Sequence, residues 1–489
     1  MSLFNKLLRK AKAPQKTINR AGGEAFVQSP KMQLASLLLT SFAQNQTYRT
    51  AEDAFKELAN LLTKVDPKFA AQAAIFARNE YGMRSITHVL AGELAAYASG
   101  KDWAKEFYRQ IVRRPDDMLE IAAYYKSKGG TNLPNAMKKG FAQAFDKFNG
   151  YQIAKYRGES KAIKLIDMVN MVHPQPTQAN AKALQELVDD TLKNTETWET
   201  MLTQAGQNAS NEIEKSKLKL RAWSELLREG KLGYFALVRN LRNISALNDS
   251  KLVNIACRQL VDENRIKKSL VLPFRLIVAW KQLNANDRHA RKMRNALEDA
   301  IDIACNNVPD LENTLVVVDN SGSMAQKVSN SQYMLCNEMG AAFAMILAKR
   351  CNADIIEFGN TARYINYNLR DSVMDFSSKF AGNNKVGHGT DFHSIFKRAN
   401  KSYDRIVIFS DMQGWIGHTN PTTALNSYKA KTGANPFIYS FDLAGYGSLQ
   451  FPENKVFGLA GFSEKAFDLM SVLETDRNAL VNKIAVIEL

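Results

Sequence analysis

Apolar residues between positions 30 and 300 recur with the period of an α-helix. Thr50 is followed by an acid three residues later, as in a capping box, and then by four apolar residues on one helical face. These residues are Phe55, Leu58, Leu61 and Leu62. Asp66 and Pro67 predict the next helix start, because Asp accepts the free amide protons there and Pro has no amide proton to leave unpaired.

Glycines divide this region into a series of short helices. Breaks fall at Gly100 and at Gly129-Gly130, and further helices are predicted to begin near Asp102 and Asp116. Short helices in series, with alanines that allow close approach, are typical of an α-solenoid of the HEAT type. Because the sequence repeat is weak, an irregular helical bundle is the alternative.

Near residue 310 the pattern changes to strands that alternate with helices. Residues 315–318 (Leu-Val-Val-Val) form an apolar run typical of a strand buried on both faces. Similar runs occur at 355–356, 406–409 and 437–439. With a helical segment at 340–350, they predict a parallel, doubly wound α/β sheet. The predicted domains are a helical domain at 1–310 and an α/β domain at 311–489.

The positive charge is concentrated in the first of these domains. Residues 1–300 contain 48 Lys and Arg against 30 Asp and Glu, whereas residues 301–489 contain 17 against 19. An excess of 18 positive charges attracts a polyanion, most often nucleic acid. Charge alone does not distinguish RNA from DNA or from an anionic membrane, and a merely soluble basic domain is the alternative.

Cysteine usage and hydropathy predict a cytoplasmic protein. The four cysteines contain no CxxC pair, so neither a zinc site nor a disulfide framework is expected. No apolar stretch approaches the roughly 20 residues of a membrane span. The basic start, residues 1–16, is predicted to be a flexible arm, with a transit peptide as the alternative.

A group of oxygen-bearing side chains follows the predicted buried strands. Asp319, Ser321 and Ser323 come directly after the first strand, Thr390 lies in a glycine-rich loop, and Asp411 ends a later strand. Because ligands bind beyond the carboxyl ends of such strands, these side chains are expected to converge. Hard oxygen ligands with little charge suit a divalent metal, above all Mg²⁺.

This set resembles the metal-ion-dependent adhesion site of von Willebrand A domains. The resemblance implies that Ser321, Ser323 and Thr390 bind the metal directly or through water, and that Asp319 and Asp411 act through water and hydrogen bonds. The free coordination position would then accept an acidic protein ligand. The structural alternative is a Ser-rich turn that caps the following helix.

Catalysis is not expected from these residues. No nucleophile is placed beside a general base, and the two histidines of the loop, His388 and His393, are interpreted as surface residues. Metal-dependent RNA hydrolysis is therefore the weakest of the functional hypotheses.

Four stretches of the helical region are similar to signatures of the TROVE domain, the module shared by telomerase-associated, Ro and vault proteins. They are residues 21–26 (AGGEAF), 155–157 (KYR), 237–243 (LVRNLRN) and 272–275 (LPFR). Joined to a C-terminal von Willebrand A domain with the metal motif, their order resembles the Ro family, including its bacterial orthologues, over nearly the whole chain.

The resemblance implies a monomeric, non-catalytic ring of HEAT-like helices closed by the von Willebrand A domain. Such a ring binds small noncoding Y-like RNA on its basic outer surface and 3′ single-stranded ends of misfolded RNA in its central hole. It acts in RNA quality control, and the Y RNA can tether it to the exoribonuclease polynucleotide phosphorylase. The alternative is a Mg²⁺-dependent adhesion module for an acidic partner, with RNA binding secondary.

Candidate RNA-binding residues are cations interleaved with an aromatic ring, since RNA recognition needs phosphate contacts and stacking surfaces. The stretch that resembles the family's RNA-binding segment contributes Lys155, Tyr156, Arg157, Lys161, Lys164 and His173. Additional candidates are Lys138, Lys139, Arg113 and Arg114, for which plain surface charge is the favoured alternative. Arg239 and Arg242 either contact RNA or pair with buried acids.

Overall fold

The computed structural model divides into two compact units. The helical unit comprises 55–304 with 482–489, and the sheet unit comprises the described residues within 1–54 and 305–481. Residues 1–15, most of the predicted basic arm, lie outside the described part of the chain. The described residues are 16–41, 50–193, 201–202, 206–207, 210–230, 232–269, 271, 273–305, 310–327, 334–380, 385–414, 416, 421–444, 446, 448–451, 455–460, 470, 473–474 and 479–489.

Two helices of this region begin at the caps that the sequence predicts. Oγ1 of Thr50 accepts from the amide of Asp53 (3.0 Å), and Oδ2 of Asp53 accepts from the amide of Thr50 (3.1 Å). Asp66 accepts from the amide of Lys68, so both predicted helix starts are confirmed. Before the main sheet the helices are α1 (Pro30–Thr40), α2 (Ala51–Leu62), α3 (Pro67–Glu80), α4 (Ser85–Glu93), α5 (Ala104–Ile111), α6 (Pro115–Ser127), α7 (Asn135–Ala144), α8 (Gly150–Lys155), α9 (Leu165–Val172), α10 (Ala181–Val188), α11 (Glu212–Arg228), α12 (Tyr234–Ser245), α13 (Ser250–Leu260), α14 (Glu263–Ser269), α15 (Pro273–Gln282) and α16 (Arg288–Cys305).

Helices of the helical unit pack mainly on helices one or two places away along the chain. α3 packs on α4 and α5, α4 on α6, and α5 on α7. The α5–α7 approach depends on Gly140, where a Cβ would lie 2.5 Å from the carbonyl oxygen of Lys105. Packing between near neighbours is the arrangement expected of stacked helical repeats.

A buried ionic cluster ties α3, α4 and α6 together. Asp117, which is fully buried, accepts from Arg78 (2.9 Å) and Arg84 (3.0 Å), and its Oδ1 lies 3.0 Å from Nε2 of His88. The amides of residues 113 and 114 also donate to it, each at 3.0 Å. The hydrogen bond from His88 and the charge of Arg78 hold the pKa of Asp117 well below its usual range, against the opposing effect of burial.

The sheet unit contains a six-stranded sheet of order β5-β4-β3-β6-β7-β9 in which only the edge strand β5 runs antiparallel. The strands are β1 (Lys16–Ile18), β2 (Glu24–Val27), β3 (Thr314–Asp319), β4 (Asp354–Phe358), β5 (Ala362–Ile365), β6 (Arg405–Ser410), β7 (Phe437–Asp442), β8 (Ser448–Leu449) and β9 (Val456–Ala460). The later helices are α17 (Cys336–Cys351), α18 (Val373–Ser378), α19 (Phe392–Arg398), α20 (Pro421–Thr432) and α21 (Ala479–Ala485).

Both faces of this sheet are covered, as the continuous apolar strands predict. All six residues of β3 are buried. Leu315 and Val317 share a core with residues of α19 and α20, whereas Val318 faces α17 at Gly340, where a Cβ would lie 3.4 Å away. The structure therefore confirms the predicted fold class, a helical domain followed by a doubly wound α/β domain.

Both ends of the chain differ from the predicted division at residue 310. The N-terminal strand β1 pairs with β2, β2 pairs with β8, and α1 packs on β9, so residues 16–41 belong to the sheet unit. Residues 482–489 belong to the helical unit, where Gln72 donates to the carbonyls of Ala485 and Ile487, each at 2.8 Å. Hydropathy alone does not reveal pairings between segments so distant in sequence.

The described helices include none that is both long and apolar enough to cross a membrane.

Candidate metal site and nucleic-acid interface

The metal-site residues lie where the two central strands of the sheet end. Val318 of β3 is in register with Phe409 of β6, which places Asp319 beside Ser410. Oγ of Ser410 donates to Oδ2 of Asp319 over 2.5 Å. Asp411 follows at once, and both carboxylates are fully buried. Two parallel strands thus deliver two acids to one edge of the sheet, as the sequence predicts.

The turn after Asp319 brings in the two serines. The amide of Ser321 donates to Oδ1 of Asp319 over 2.9 Å, which folds the turn back on the strand end. A short 3-10 helix, Gly322–Ala325, then places Oγ of Ser323 3.4 Å from Oγ of Ser321. The Asp-x-Ser-x-Ser motif therefore forms one cluster of oxygen atoms.

The loop that contains Thr390 is fastened to this turn. The amide of Gly322 donates to the carbonyl of His388 over 2.8 Å, and the amide of Asp391 donates to the carbonyl of Gly359 over 2.9 Å. Gly359 must be glycine, because a Cβ there would lie 2.3 Å from the carbonyl oxygen of residue 387. Thr390 is 1% exposed, so the loop carries its hydroxyl into the interior.

The electrostatics of the site fit a bound cation. Burial raises the pKa of both Asp319 and Asp411, and the charge of Asp319 raises that of Asp411 further. Oδ2 of Asp411 is buried without a hydrogen-bond partner among the described residues. Burying two charged carboxylates and leaving Oδ2 of Asp411 unpaired both cost free energy. A divalent cation would offset these costs, since it favours the charged carboxylates and binds the unpaired oxygen.

The donor set is rich in hydroxyl groups rather than in charge. Within the described ranges, no cluster of three or more His, Cys, Asp or Glu side chains is arranged to hold a metal. Two carboxylates with three hydroxyls are hard oxygen ligands, which suit Mg²⁺ and do not suit zinc.

Three supporting residues of this site were not predicted. Nδ2 of Asn320 donates to Glu357 (2.7 Å), while Oδ1 of Asn320 accepts from Asn337 (2.8 Å). Glu357 is 2% exposed and also accepts from Arg363 (2.8 Å). The sequence could have indicated these contacts, because Glu357 is an acid inside the apolar strand β4 and a buried charge requires partners.

The histidines of the Thr390 loop differ from each other. His388 is exposed, as predicted. His393 is 3% exposed, and its Nδ1 lies 2.8 Å from Oδ1 of Asp391, so its interpretation as a surface residue was wrong. Asp391 is the N-cap of α19, and His393 lies in the first turn of this helix, where it is buried.

Part of the predicted RNA-binding stretch forms a cation–aromatic stack on the helical unit. Nζ of Lys155 lies 5.7 Å from the ring centroid of Tyr151 and 5.8 Å from that of Tyr156. Cζ of Arg114, from α6, lies 4.5 Å from the Tyr156 centroid. Tyr151 is 47% exposed, so the stack offers an aromatic surface next to positive charge. Tyr151 was not among the predicted RNA-binding residues.

The other cations of the stretch already have partners. Arg157 donates to Glu159 (2.8 Å) and to the carbonyl of Leu192. Lys161 forms an ion pair with Glu120, and Lys164 lies 3.9 Å from Glu159. Only the pair of Lys161 with Glu120 reaches α6, and all of these contacts reduce the charge left for phosphate.

The remaining candidates lie apart from the stack. His173 is exposed at the end of α9 in a left-handed conformation (φ 49°). Lys138 is half-buried and Lys139 exposed on α7. Arg239 and Arg242 are exposed on α12, and among the described residues neither forms an ion pair. Contact of these two arginines with RNA stays a prediction.

Comparison with known families accounts for both units. The TROVE domain model matches residues 21–218 and 190–295, and the Ro60 vWA domain model matches residues 313–472. The protein is thus of the class that joins a TROVE domain to a von Willebrand A domain. The chain belongs to the Ro/TROVE family of RNA-binding proteins.

Individual relatives support this assignment. The RNA-binding protein RO60 of Deinococcus radiodurans is 22% identical over 504 residues, which cover 93% of this chain and 94% of that protein. The crystal structure of the Deinococcus radiodurans RO (RSR) protein has a TM-score of 0.60 at 19% identity and covers 93% of this chain and 99% of that chain. The structural match shows a common fold.

Telomerase protein component 1 is similar to this chain over a small part of its own length. The mouse protein is 27% identical over 143 residues and the rat protein 21% identical over 360 residues. These regions span only 5% and 13% of those proteins. The likeness is therefore confined to a shared module.

Proposed function

We propose that this chain is a non-catalytic RNA-binding protein of the cytoplasm. Its basic surface binds a small noncoding, Y-like RNA, and the central hole implied by the family resemblance takes 3′ single-stranded ends of misfolded RNA. It serves RNA quality control as a monomer. The bound small RNA acts as a scaffold for an exoribonuclease of the polynucleotide phosphorylase type.

The cation–aromatic stack carries this proposal. Lys155 places positive charge beside the rings of Tyr151 and Tyr156, and Arg114, whose charge is paired with Asp116 (2.7 Å), lies over the ring of Tyr156. Positive charge next to aromatic rings is the chemistry that binds phosphates and unstacked bases together. The stack lies within residues 1–300, which contain 48 basic and 30 acidic residues. The relative from Deinococcus radiodurans is an RNA-binding protein, which supports this proposal.

A second function is favoured by the unpaired oxygen of Asp411. Ser321, Ser323 and Thr390 would hold Mg²⁺, with Asp319 and Asp411 as supporting carboxylates. A bound Mg²⁺ supplies an electrophilic position for an anionic oxygen of an acidic protein partner. The two functions are compatible, because RNA and protein would use different units.

Purification from the native host tests the RNA function. RNA that copurifies is sequenced with and without a high-salt wash, because phosphate contacts weaken as salt rises. Enrichment of one structured small RNA that salt releases supports the proposal. Recovery of bulk ribosomal RNA only, or of no RNA, contradicts it.

A pair of variants locates the binding surface. The double variant Lys155→Ala/Tyr156→Ala is expected to lose about tenfold or more in RNA affinity, since base stacking on one aromatic ring alone contributes about 1–3 kcal/mol. Lys182→Ala is the matched control, because the Lys182 side chain is 90% exposed on α10 and lies outside the stack. Equal affinity in both variants would place the RNA elsewhere.

A further inference from the structure

We propose that the N-terminal turn of residues 19–23 is a positioning element of the metal site. The inference rests on the proposed Mg²⁺ site. The turn lies almost four hundred residues before Asp411 in the sequence, and it contains no residue of the metal motif. Both belong to the sheet unit.

Asn19 makes the turn a rigid block. Its side chain is 6% exposed, and its Oδ1 accepts from the amides of Ala21 (3.0 Å) and Gly23 (2.9 Å). Gly22 between them has φ +88°, a conformation that glycine adopts without strain. The remaining polar group, Nδ2 of Asn19, donates to the carbonyl of Gly414 over 2.6 Å.

Gln413 connects this block to the carboxylate. Its Oε1 accepts from the amide of Arg20 over 2.7 Å, and its Nε2 donates to the carbonyl of Asp411 over 3.1 Å. The amide of Gln413 donates to Oδ1 of Asp411 over 3.2 Å. This bond fixes one oxygen of the carboxylate and leaves Oδ2, the oxygen without a described partner, facing the site.

The loop needs such support because its backbone is strained. Met412 has φ +56°, a left-handed conformation that a non-glycine residue keeps only when its surroundings enforce it. Oγ of Ser410 accepts from the Met412 amide (2.9 Å), and Gln450 donates to its carbonyl (2.7 Å). The N-terminal turn forms hydrogen bonds with the two residues that follow Met412, which are Gln413 and Gly414. It therefore helps to keep the backbone after Asp411 in place.

The test measures metal affinity in the full chain by titration with Mg²⁺ in a calorimeter and with Mn²⁺ by electron paramagnetic resonance. Asn19→Ala is expected to weaken binding about tenfold, the size typical of residues that orient metal ligands. Asn19→Asp keeps an acceptor for the two turn amides, but it replaces the donor to Gly414 with a carboxylate oxygen that repels that carbonyl. It is expected to weaken binding similarly with the turn intact.

Lys16→Ala is the matched control, because Lys16 lies on the same hairpin in an exposed ion pair with Glu24. The far-ultraviolet circular dichroism spectrum without metal and the affinity for RNA are expected to be unchanged in both Asn19 variants, which separates positioning from a general loss of structure. Wild-type affinity in both Asn19 variants overturns the inference while leaving the metal site standing. Absence of metal binding by the wild-type chain overturns the site and the inference together.

Discussion

The hydroxyl of Ser410 donates to Oδ2 of Asp319 over 2.5 Å and joins the ends of the two central strands. Because the amide of Ser321 occupies Oδ1, both oxygens of Asp319 have donors. Asp411, on the adjacent strand end, has a buried Oδ2 with no described partner. The two acids therefore differ: Asp319 organises the site, and Asp411 retains an oxygen available to a cation or to its water.

Replacing Ser410 with alanine is expected to weaken Mg²⁺ binding about tenfold, since loss of a residue that orients a ligand typically costs 10–100-fold in metal affinity. Asp319 would lose the donor that orients Oδ2. Isothermal titration of both proteins with Mg²⁺ measures the change. Ser427→Ala, an exposed serine on α20, serves as the control. Equal affinity in Ser410→Ala and the control would exclude this role.

The position of Asp319 and Asp411 at one edge of the sheet could be predicted from the sequence, because parallel strands end at the same edge. The two acids also lie close together because β3 and β6 are neighbours in the sheet. Ser410 could have been included, since a hydroxyl directly before a strand-terminal acid lies at the same edge. Asn19 could not, because its contact with Gly414 depends on a pairing between segments 395 positions apart.

The RNA-binding stretch was harder to predict for a different reason. Sequence shows where cations lie, but it does not show which of them are already paired. Lys155 stacks on aromatic rings, whereas Lys161, six residues later, is bound to Glu120 from α6. The side chain of Arg114 joins Tyr156 only because α6 packs near the end of α8.

Replacing Asp117 with alanine is expected to destabilise the helical unit by about 3–5 kcal/mol, because Arg78 and Arg84 would keep their charges and lose their buried partner. Urea unfolding followed by far-ultraviolet circular dichroism measures the loss. Asp189→Ala is the control, since Asp189 is exposed and accepts only from Gln185 among its described contacts. A loss below about 1 kcal/mol would show that the cluster contributes little.

The same cluster predicts a pH dependence of stability. The pKa of Asp117 is lowered in the folded chain, so its contribution is complete above the unfolded value, about 3.9, and is lost as pH falls further. The stability difference between wild type and Asp117→Ala is therefore expected to be constant from pH 7 to about 5 and to shrink below about 4. Urea unfolding of both proteins across that range measures it. A difference that grows on acidification would contradict the lowered pKa.

Salt dependence of RNA binding distinguishes the two lysines of the candidate surface. Each phosphate neutralised by a lysine contributes roughly one unit to the slope of log affinity against log salt. Lys155→Ala is expected to make that slope shallower by about one unit. Lys161→Ala is expected to leave it nearly unchanged, because Glu120 already neutralises Lys161. Filter binding of one small RNA over a salt series gives both slopes. If Lys161→Ala changed the slope as much as Lys155→Ala, the ion pair with Glu120 would have to open when RNA binds, and the surface would extend from the stack across α6.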